Sequence, residues 1–359
     1  MNVYNQPRRV AIESYHIAVD RYVEDVKRLN GVVSIYLMGG FGAPGLSDID
    51  IVVVVSDDFD PYESGRLSTK GIDGYLFLHG PIVVPLRLAE SVQTIFYASN
   101  LRVLFGPDVI KSFEELSRTK QILLARIYLI DFLESRFLQF PKDADSVDKR
   151  AWLTRLWSLV HSTFLFESVL GKRLGESEKR DLVRVKETRK EWLDKGRVSD
   201  KLFFEALYAG KRLAAALFML ALDECYGQPS LEKNKCIARA NKRLCFSDDN
   251  KAPVYDRGQL SIFGRTLTKF YCELPSAYVA HLCCYDRSFC VRWKIPPEYS
   301  RNQVDLMKER AALVREHSVW LRKHAPRSGS MKGYLGIDVD RQPSIKSLVI
   351  SLYLRAGFL

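Results

Sequence analysis

The chain has 359 residues, enough for two or three domains that each bury a core. With 47% hydrophobic and 27% charged residues, the composition excludes a disordered protein. No apolar run reaches the roughly 18–20 residues of a membrane span. The net charge of +11 is unevenly placed, at −4 over residues 1–110 and +15 over the remainder. A cation site and a polyanion-facing surface are therefore expected in different parts of the chain.

The first nine residues, Met1 to Arg9, lack an apolar stretch of signal-peptide type. The seven cysteines are odd in number, with Cys283 and Cys284 adjacent. That is a poor disulfide framework, so reduced thiols and a cytoplasmic, membrane-free setting are expected.

In chain order, residues 8–30 predict an amphipathic helix. Ile12, Tyr15, Val19, Val23, Val26 and Leu29 recur at helical spacing, and Gly31 stands just past the end. Val32 to Met38 is a short β-branched run bounded by glycines, hence a buried strand. A loop with four glycines in nine residues, Gly39 to Ser47, leads directly into a second strand, Asp48 to Val55. Residues 56–70 are polar and acidic, a loop. Tyr75–Leu78 and Ile82–Leu88 read as two further strands around a turn at His79, Gly80 and Pro81. From Glu90 the pattern turns helical. Segments 90–100, 111–139, 147–170, 176–195 and 199–226 lack internal proline and keep apolar residues at helical spacing, as in a bundle. Residues 227–300 are irregular. Gln303–Lys323 reads as a charged helix, Arg327–Ser330 as a link, and Ile345–Leu354 as an apolar segment that docks on the body.

The chemistry is concentrated in the first third. Asp48 and Asp50 stand at i and i+2 of a strand and point to one face, because strand side chains alternate. Hard oxygen ligands of this kind suit Mg²⁺, which takes further ligands from substrate phosphates. The aliphatic run behind them holds the pair rigidly. The glycine loop before them lets backbone N–H groups approach a triphosphate. These parts together describe phosphoryl or nucleotidyl transfer.

The stretch Tyr36-Leu37-Met38-Gly39-Gly40, then Gly45 and Ser47-Asp48-Ile49-Asp50-Ile51, resembles the signature of the polymerase-β-type nucleotidyltransferase superfamily. Leu101 to Asp108 is similar to an Arg-x-Leu-Tyr-Gly-x-Asp element of its small members. The resemblance implies an α+β protein: a mixed sheet with flanking helices, placed over residues 1–110, and a helical bundle after it, placed over 111–228; the remainder, 229–359, is read from the chain itself as a mainly helical region. It also implies transfer of a nucleoside monophosphate from an NTP with Mg²⁺. Within it, Gly39, Gly40 and Ser47 match the nucleotide-holding turn, and Asp48 and Asp50 match the first two metal ligands. Two departures stand out. The stretch from Gly40 to Asp48 is short for the superfamily, so the helix expected there is clipped. The strand from Ile82 carries no third acid, and Asp73 is the substitute.

For phosphate contacts, Lys70, Arg87 and Arg102 are the basic residues nearest the expected sheet, and Arg87 is the choice for the nucleotide. The acceptor is open between a small molecule, a protein hydroxyl and an RNA 3′ end. The basic runs at Lys179–Lys190 and Lys233–Arg243 allow contact with nucleic acid; Tyr271 and Trp293 could stack bases but fit a core as well. Two rival readings accompany the enzyme: an inactive member that binds a nucleotide or partner, and a basic nucleic-acid-binding protein. Cys272, His281, Cys283, Cys284 and Cys290 cluster within 19 residues, but without a zinc-module spacing they read as core residues.

Overall fold

The computed structural model describes residues 2–134, 146–227, 230–231, 236–239, 242–247, 254–262, 265–275, 277–278, 281, 293–294 and 301–325. It is an α+β protein with two compact units. Among the described residues, the first unit takes 2–128, 146–210 and 312–325, and the second takes the rest.

The first unit opens with β1 (Asn2–Tyr4) and α1 (Ile12–Val26), followed by β2 (Val32–Met38) and β3 (Asp50–Val55). Then come β4 (Ile82–Pro85), the short α2 (Val92–Ile95) and β5 (Leu101–Phe105). Strands β4, β3, β2 and β5 form one mixed sheet in that order, with β3–β4 parallel and both partners of β2 antiparallel. Ile35, Leu37, Ile51, Val53 and Val55 face Tyr15, Val19 and Tyr22 of α1. Tyr36, Val52, Val54 and Val84 pack on the other side with Leu88, Val92 and Ile95. The unbroken Ile51–Val55 run is thus apolar on both faces because both faces are covered.

Two expected strands differ. Ile82–Leu88 stops at Pro85 and turns into a 3₁₀ segment, Leu86–Ser91, since proline cannot continue a ladder. Tyr75–Leu78 is a turn: the Asp73 carbonyl accepts from the amides of Leu76 and Phe77, and the Asp73 side chain accepts from Tyr75 N at 2.8 Å. Local aspartate bonding outcompetes the sheet there.

Helices α3 (Arg118–Leu133), α4 (Lys149–Phe164), α5 (Glu176–Lys195) and α6 (Asp200–Tyr226) match the expected helical segments, with a three-residue β6 (Ser146–Asp148) before α4. Asp148 caps α4, accepting from Ala151 N at 2.8 Å. Gly196, with φ +67°, ends α5 in the left-handed conformation. The paired dipeptide β7 (Ser230–Leu231) comes next.

In the second unit the stretch read as irregular carries a sheet: β8 (Cys236–Arg239), β9 (Lys242–Ser247), β10 (Val254–Ile262) and β11 (Arg265–Pro275), in the order β10, β11, β9, β8. The short β12 (Trp293–Lys294) pairs with β7; α7 (Arg301–His324), the expected charged helix, counts with this unit up to Ala311 and with the first unit from Ala312. Within this unit His281 Nε2 lies 2.7 Å from Asp131 Oδ1 and its Nδ1 lies 3.0 Å from the Tyr226 hydroxyl. Arg310 pairs with the other Asp131 oxygen. Arg327–Ser330 and Ile345–Leu354 lie outside the described residues. Among the described residues, no helix is long and apolar enough to cross a membrane.

Candidate metal centre

The centre forms where β2 ends and β3 begins. Met38, the last residue of β2, pairs with Asp50, the first of β3, so the Gly39–Gly40 turn leaves the sheet beside Asp50. Ile49, Ile51, Val53 and Val55 are buried in the core under α1. Asp48 and Asp50, which alternate with them, therefore share the other side of the chain. Both are half-buried.

A third side chain joins them from the irregular segment between β3 and β4. His79 Nε2 lies 2.7 Å from Asp50 Oδ1, and its Nδ1 donates to the Gly80 carbonyl at 2.7 Å. One ligand atom from each of Asp48, Asp50 and His79 lies within 4.8 Å of the others. The hydrogen bond to Asp50 raises the His79 pKa to about 9. Burial, and then the charge of Asp50, raises the Asp48 carboxyl to about 7. Two carboxylates this close repel each other, and a single protonated imidazole offsets that only in part. Two hard oxygens and one nitrogen converging at a half-open position form a donor set that a divalent cation fits.

The loop beside the centre is held by four side chains. The Tyr15 hydroxyl donates to the Ser47 carbonyl at 2.7 Å and accepts from Gly45 N at 3.0 Å. Tyr75 donates to the Gly45 carbonyl at 2.9 Å. Thr154 of α4 donates to the Leu46 carbonyl at 2.8 Å, and Trp192 of α5 donates to the Pro44 carbonyl at 3.1 Å. Only glycine fits at 45: its φ is +90°, and a Cβ there would sit 2.1 Å from the Arg8 carbonyl oxygen. Gly39 and Gly40 are the opposite case, for a Cβ on either would meet no atom within 4 Å. The turn next to Asp50 is a clear shelf. Between Gly40 and Asp48 there is a single turn, Ala43–Ser47, and no helix.

Two cations flank this loop. Arg189 of α5 lies over the Trp157 ring at 4.0 Å, and one of its terminal nitrogens would stand 2.6 Å from a Cβ on Gly42. Arg150, 2% exposed, stacks on Tyr75 at 3.6 Å and lowers the Asp48 pKa against the larger effect of burial.

The structure brings Asp48, Asp50, Gly39 and Gly40 together and puts other candidates elsewhere. Asp73 serves its own turn and is outside the group, whose third member is His79. Ser47 uses its hydroxyl to accept from Ala43 N at 3.1 Å, so it fixes the loop. Arg87 is bound to Asp57 at 3.2 Å and Glu316 at 2.8 Å. Because β4 runs parallel to β3 with Pro85 beside Val55, Arg87 lies past the strand end remote from Asp50, about 17 Å away along the strand. Lys70 lines a separate cleft of about 440 Å³ with Arg21, Arg28 and Arg66. Arg102 pairs with Leu37, out of phase with Asp50.

In the basic run of α5, Lys179 pairs with Glu176 at 2.7 Å, and Arg184 pairs with Glu187 of the same helix at 2.7 Å and with Glu205 of α6 at 3.4 Å. Of the cysteine and histidine cluster, His281 is buried against Asp131 and Tyr226, and Cys283, Cys284 and Cys290 lie outside the described residues. His79, Arg150 and Arg189 were not singled out from sequence as members of this site. No protein-family model matches the sequence, and no curated protein matches it.

Proposed function

We propose that the first unit is a metal-dependent nucleotidyltransferase of the polymerase-β type, moving an NMP from an NTP to a hydroxyl acceptor. The observation that carries this reading is the convergence of Asp48, Asp50 and His79 beside the clear Gly39–Gly40 shelf. In this reading Asp48 and Asp50 hold the cation, and the bound cation supplies charge neutralisation on the phosphates. The two glycines give the triphosphate a close approach to backbone amides. Arg189, stacked on Trp157 beside Gly42, adds a positive charge next to the loop. Tyr15, Tyr75, Thr154 and Trp192 keep that loop in place, so little ordering is left to the moment of binding. The setting we assign is the cytoplasm, where NTPs are available, and no membrane partner is part of the reading. The acceptor class, whether small molecule, protein hydroxyl or RNA 3′ end, is left to the assay.

A second reading has one observation in its favour. Among the described residues the third position of the cluster holds an imidazole and not a carboxylate, so a protein that binds NTP without transferring it is the rival. A general nucleic-acid-binding role has no such observation in its favour, and two cations of the α5 run are already paired with acids of the same helix.

The test is incubation of the protein with each labelled NTP, divalent cation and candidate acceptors, beside Asp50→Asn. Transfer by the wild type and loss of at least 100-fold in the variant is the expected result. Equal transfer by both proteins refutes the assignment. Metal-dependent NTP binding without transfer selects the second reading.

A further inference from the structure

We propose that His79 is a ligand of the cation, and that the centre prefers the first-row transition dication Mn²⁺ to Mg²⁺. The inference rests on the proposed function only in taking Asp48 and Asp50 as cation ligands.

Three observations carry it. First, the imidazole Nε2 is 2.7 Å from Asp50 Oδ1. Adjacent ligands of one octahedral ion with bonds near 2.1 Å are separated by about 3 Å, so the two hydrogen-bonded atoms need only part slightly to stand as neighbouring ligands. Second, the other ring nitrogen donates to the Gly80 carbonyl at 2.7 Å. A ligating histidine is commonly held this way: a carbonyl on one nitrogen fixes the tautomer and aims the other at the ion. Third, the His79 side chain is 46% exposed and that of Asp50 28% exposed. The imidazole therefore fills no core and is free to turn the small distance that ligation needs. A histidine with a purely structural task would be packed, as His281 is at 0% exposure.

The chemistry of the set then decides the ion. Oxygen-only sites suit Mg²⁺, which dehydrates reluctantly and keeps its waters. Imidazole nitrogen favours first-row transition ions, with affinity rising from Mn²⁺ towards Zn²⁺. Two carboxylates still hold a hard ion, and one nitrogen shifts the balance towards Mn²⁺. Zn²⁺ is expected to bind at least as tightly as Mn²⁺ and to compete with it.

The test is isothermal titration of the whole protein with Mn²⁺ and with Mg²⁺, in the wild type, His79→Ala and His79→Asp. The wild type should bind Mn²⁺ at least tenfold more tightly than Mg²⁺, and both variants should reduce that ratio at least fivefold. An independent readout needs no variant: electron spin-echo modulation of Mn²⁺ bound to the wild type should show a directly coordinated ¹⁴N. A ratio below threefold, a ratio unchanged in His79→Ala, or an absent ¹⁴N signal overturns the inference. Mn²⁺ preference without nucleotidyl transfer leaves it standing and fails the proposed function alone. Transfer supported equally well by Mg²⁺ and Mn²⁺, with no ¹⁴N signal, fails the inference alone. Absence of binding by either ion overturns both.

Discussion

His317, in α7, should make the first unit acid-sensitive by an amount that follows from its surroundings. It is 1% exposed, and its Nε2–H donates to the Val83 carbonyl at 2.7 Å. That carbonyl belongs to β4, an edge strand of the mixed sheet, so the histidine satisfies a backbone group of the edge strand that its own burial shields from water. Burial is the main reason its pKa falls to about 4, and Arg87 nearby adds to the effect. In the unfolded chain the value returns to the ordinary 6.5.

The sign follows from linkage. Above pH 6.5 the ring is neutral in both states and contributes nothing pH-dependent. Between pH 6.5 and 4 the unfolded chain takes up a proton that the folded protein refuses, so stability falls as pH falls. Between pH 7 and 4.5 the loss comes to about 2 kcal/mol, since each tenfold difference in proton affinity between the two states is worth about 1.4 kcal/mol. Asp48, with its raised pKa of about 7, works in the opposite direction over the same range, so the wild-type profile alone is ambiguous. The difference between wild type and His317→Gln isolates the histidine, because glutamine keeps a donor and does not titrate. Urea unfolding followed by tryptophan fluorescence, at pH 7 and pH 4.5, measures it. The variant should gain about 2 kcal/mol on the wild type as the pH is lowered. A wild-type-minus-variant difference that is constant with pH to within about 0.5 kcal/mol would refute the reasoning.

Three further substitutions test the loop and the second unit. Gly45→Ala forces a Cβ to within 2.1 Å of a backbone carbonyl at φ +90°, and should cost about 2–4 kcal/mol; an unchanged melting temperature would count against the close approach. Gly40→Ala meets open space and should melt within a few degrees of wild type while NTP affinity falls about tenfold, by roughly 1.4 kcal/mol. Unchanged affinity in a nucleotide titration would remove the shelf from the proposed site. Arg310→Met leaves Asp131 short of its buried cation and should destabilise by about 3–5 kcal/mol, read by denaturant unfolding. A loss under about 1 kcal/mol would show that the remaining partners of Asp131 suffice.

Where the sequence was readable, the signal was local and periodic. The boundaries of α5 and α6 follow from long apolar stripes without proline, and the closeness of Asp48 to Asp50 was readable from their spacing, although β3 begins at Asp50 and Asp48 stands just before it. His79 was not readable as a ligand. It comes 29 positions after Asp50, through a connection with no period, and only the parallel pairing of β3 with β4 returns the chain to the same sheet. Tyr75–Leu78 looked like a strand because four large apolar residues in a row carry high β propensity. The Asp73 turn decided otherwise, burying Leu76 and Phe77 side by side. Arg87 was misplaced for the same kind of reason: proximity to a strand in sequence does not say which end of the sheet the residue occupies. The β8–β11 sheet escaped notice because its strands mix charged and apolar residues without the clean alternation of a half-buried sheet.

The placement of the centre explains why so much of the first unit is devoted to the long connection between β2 and β3. An antiparallel β2–β3 pair needs only two residues to connect it, whereas this chain uses the whole stretch from Gly39 to Ile49. That length would ordinarily be mobile. Here it is tied by two tyrosines, a threonine and a tryptophan from four separate parts of the unit. Anchoring of that density, ending at two half-buried carboxylates that repel each other, is a conflict between local electrostatics and the fold. Natural sequences keep such conflicts mainly at functional sites. The carboxylates are too close to ionise together cheaply, and the imidazole beside them offsets only one charge. A divalent cation would remove the conflict, and in the proposed function it gives the anchored loop, the clear glycine shelf and the crowded acids a common purpose.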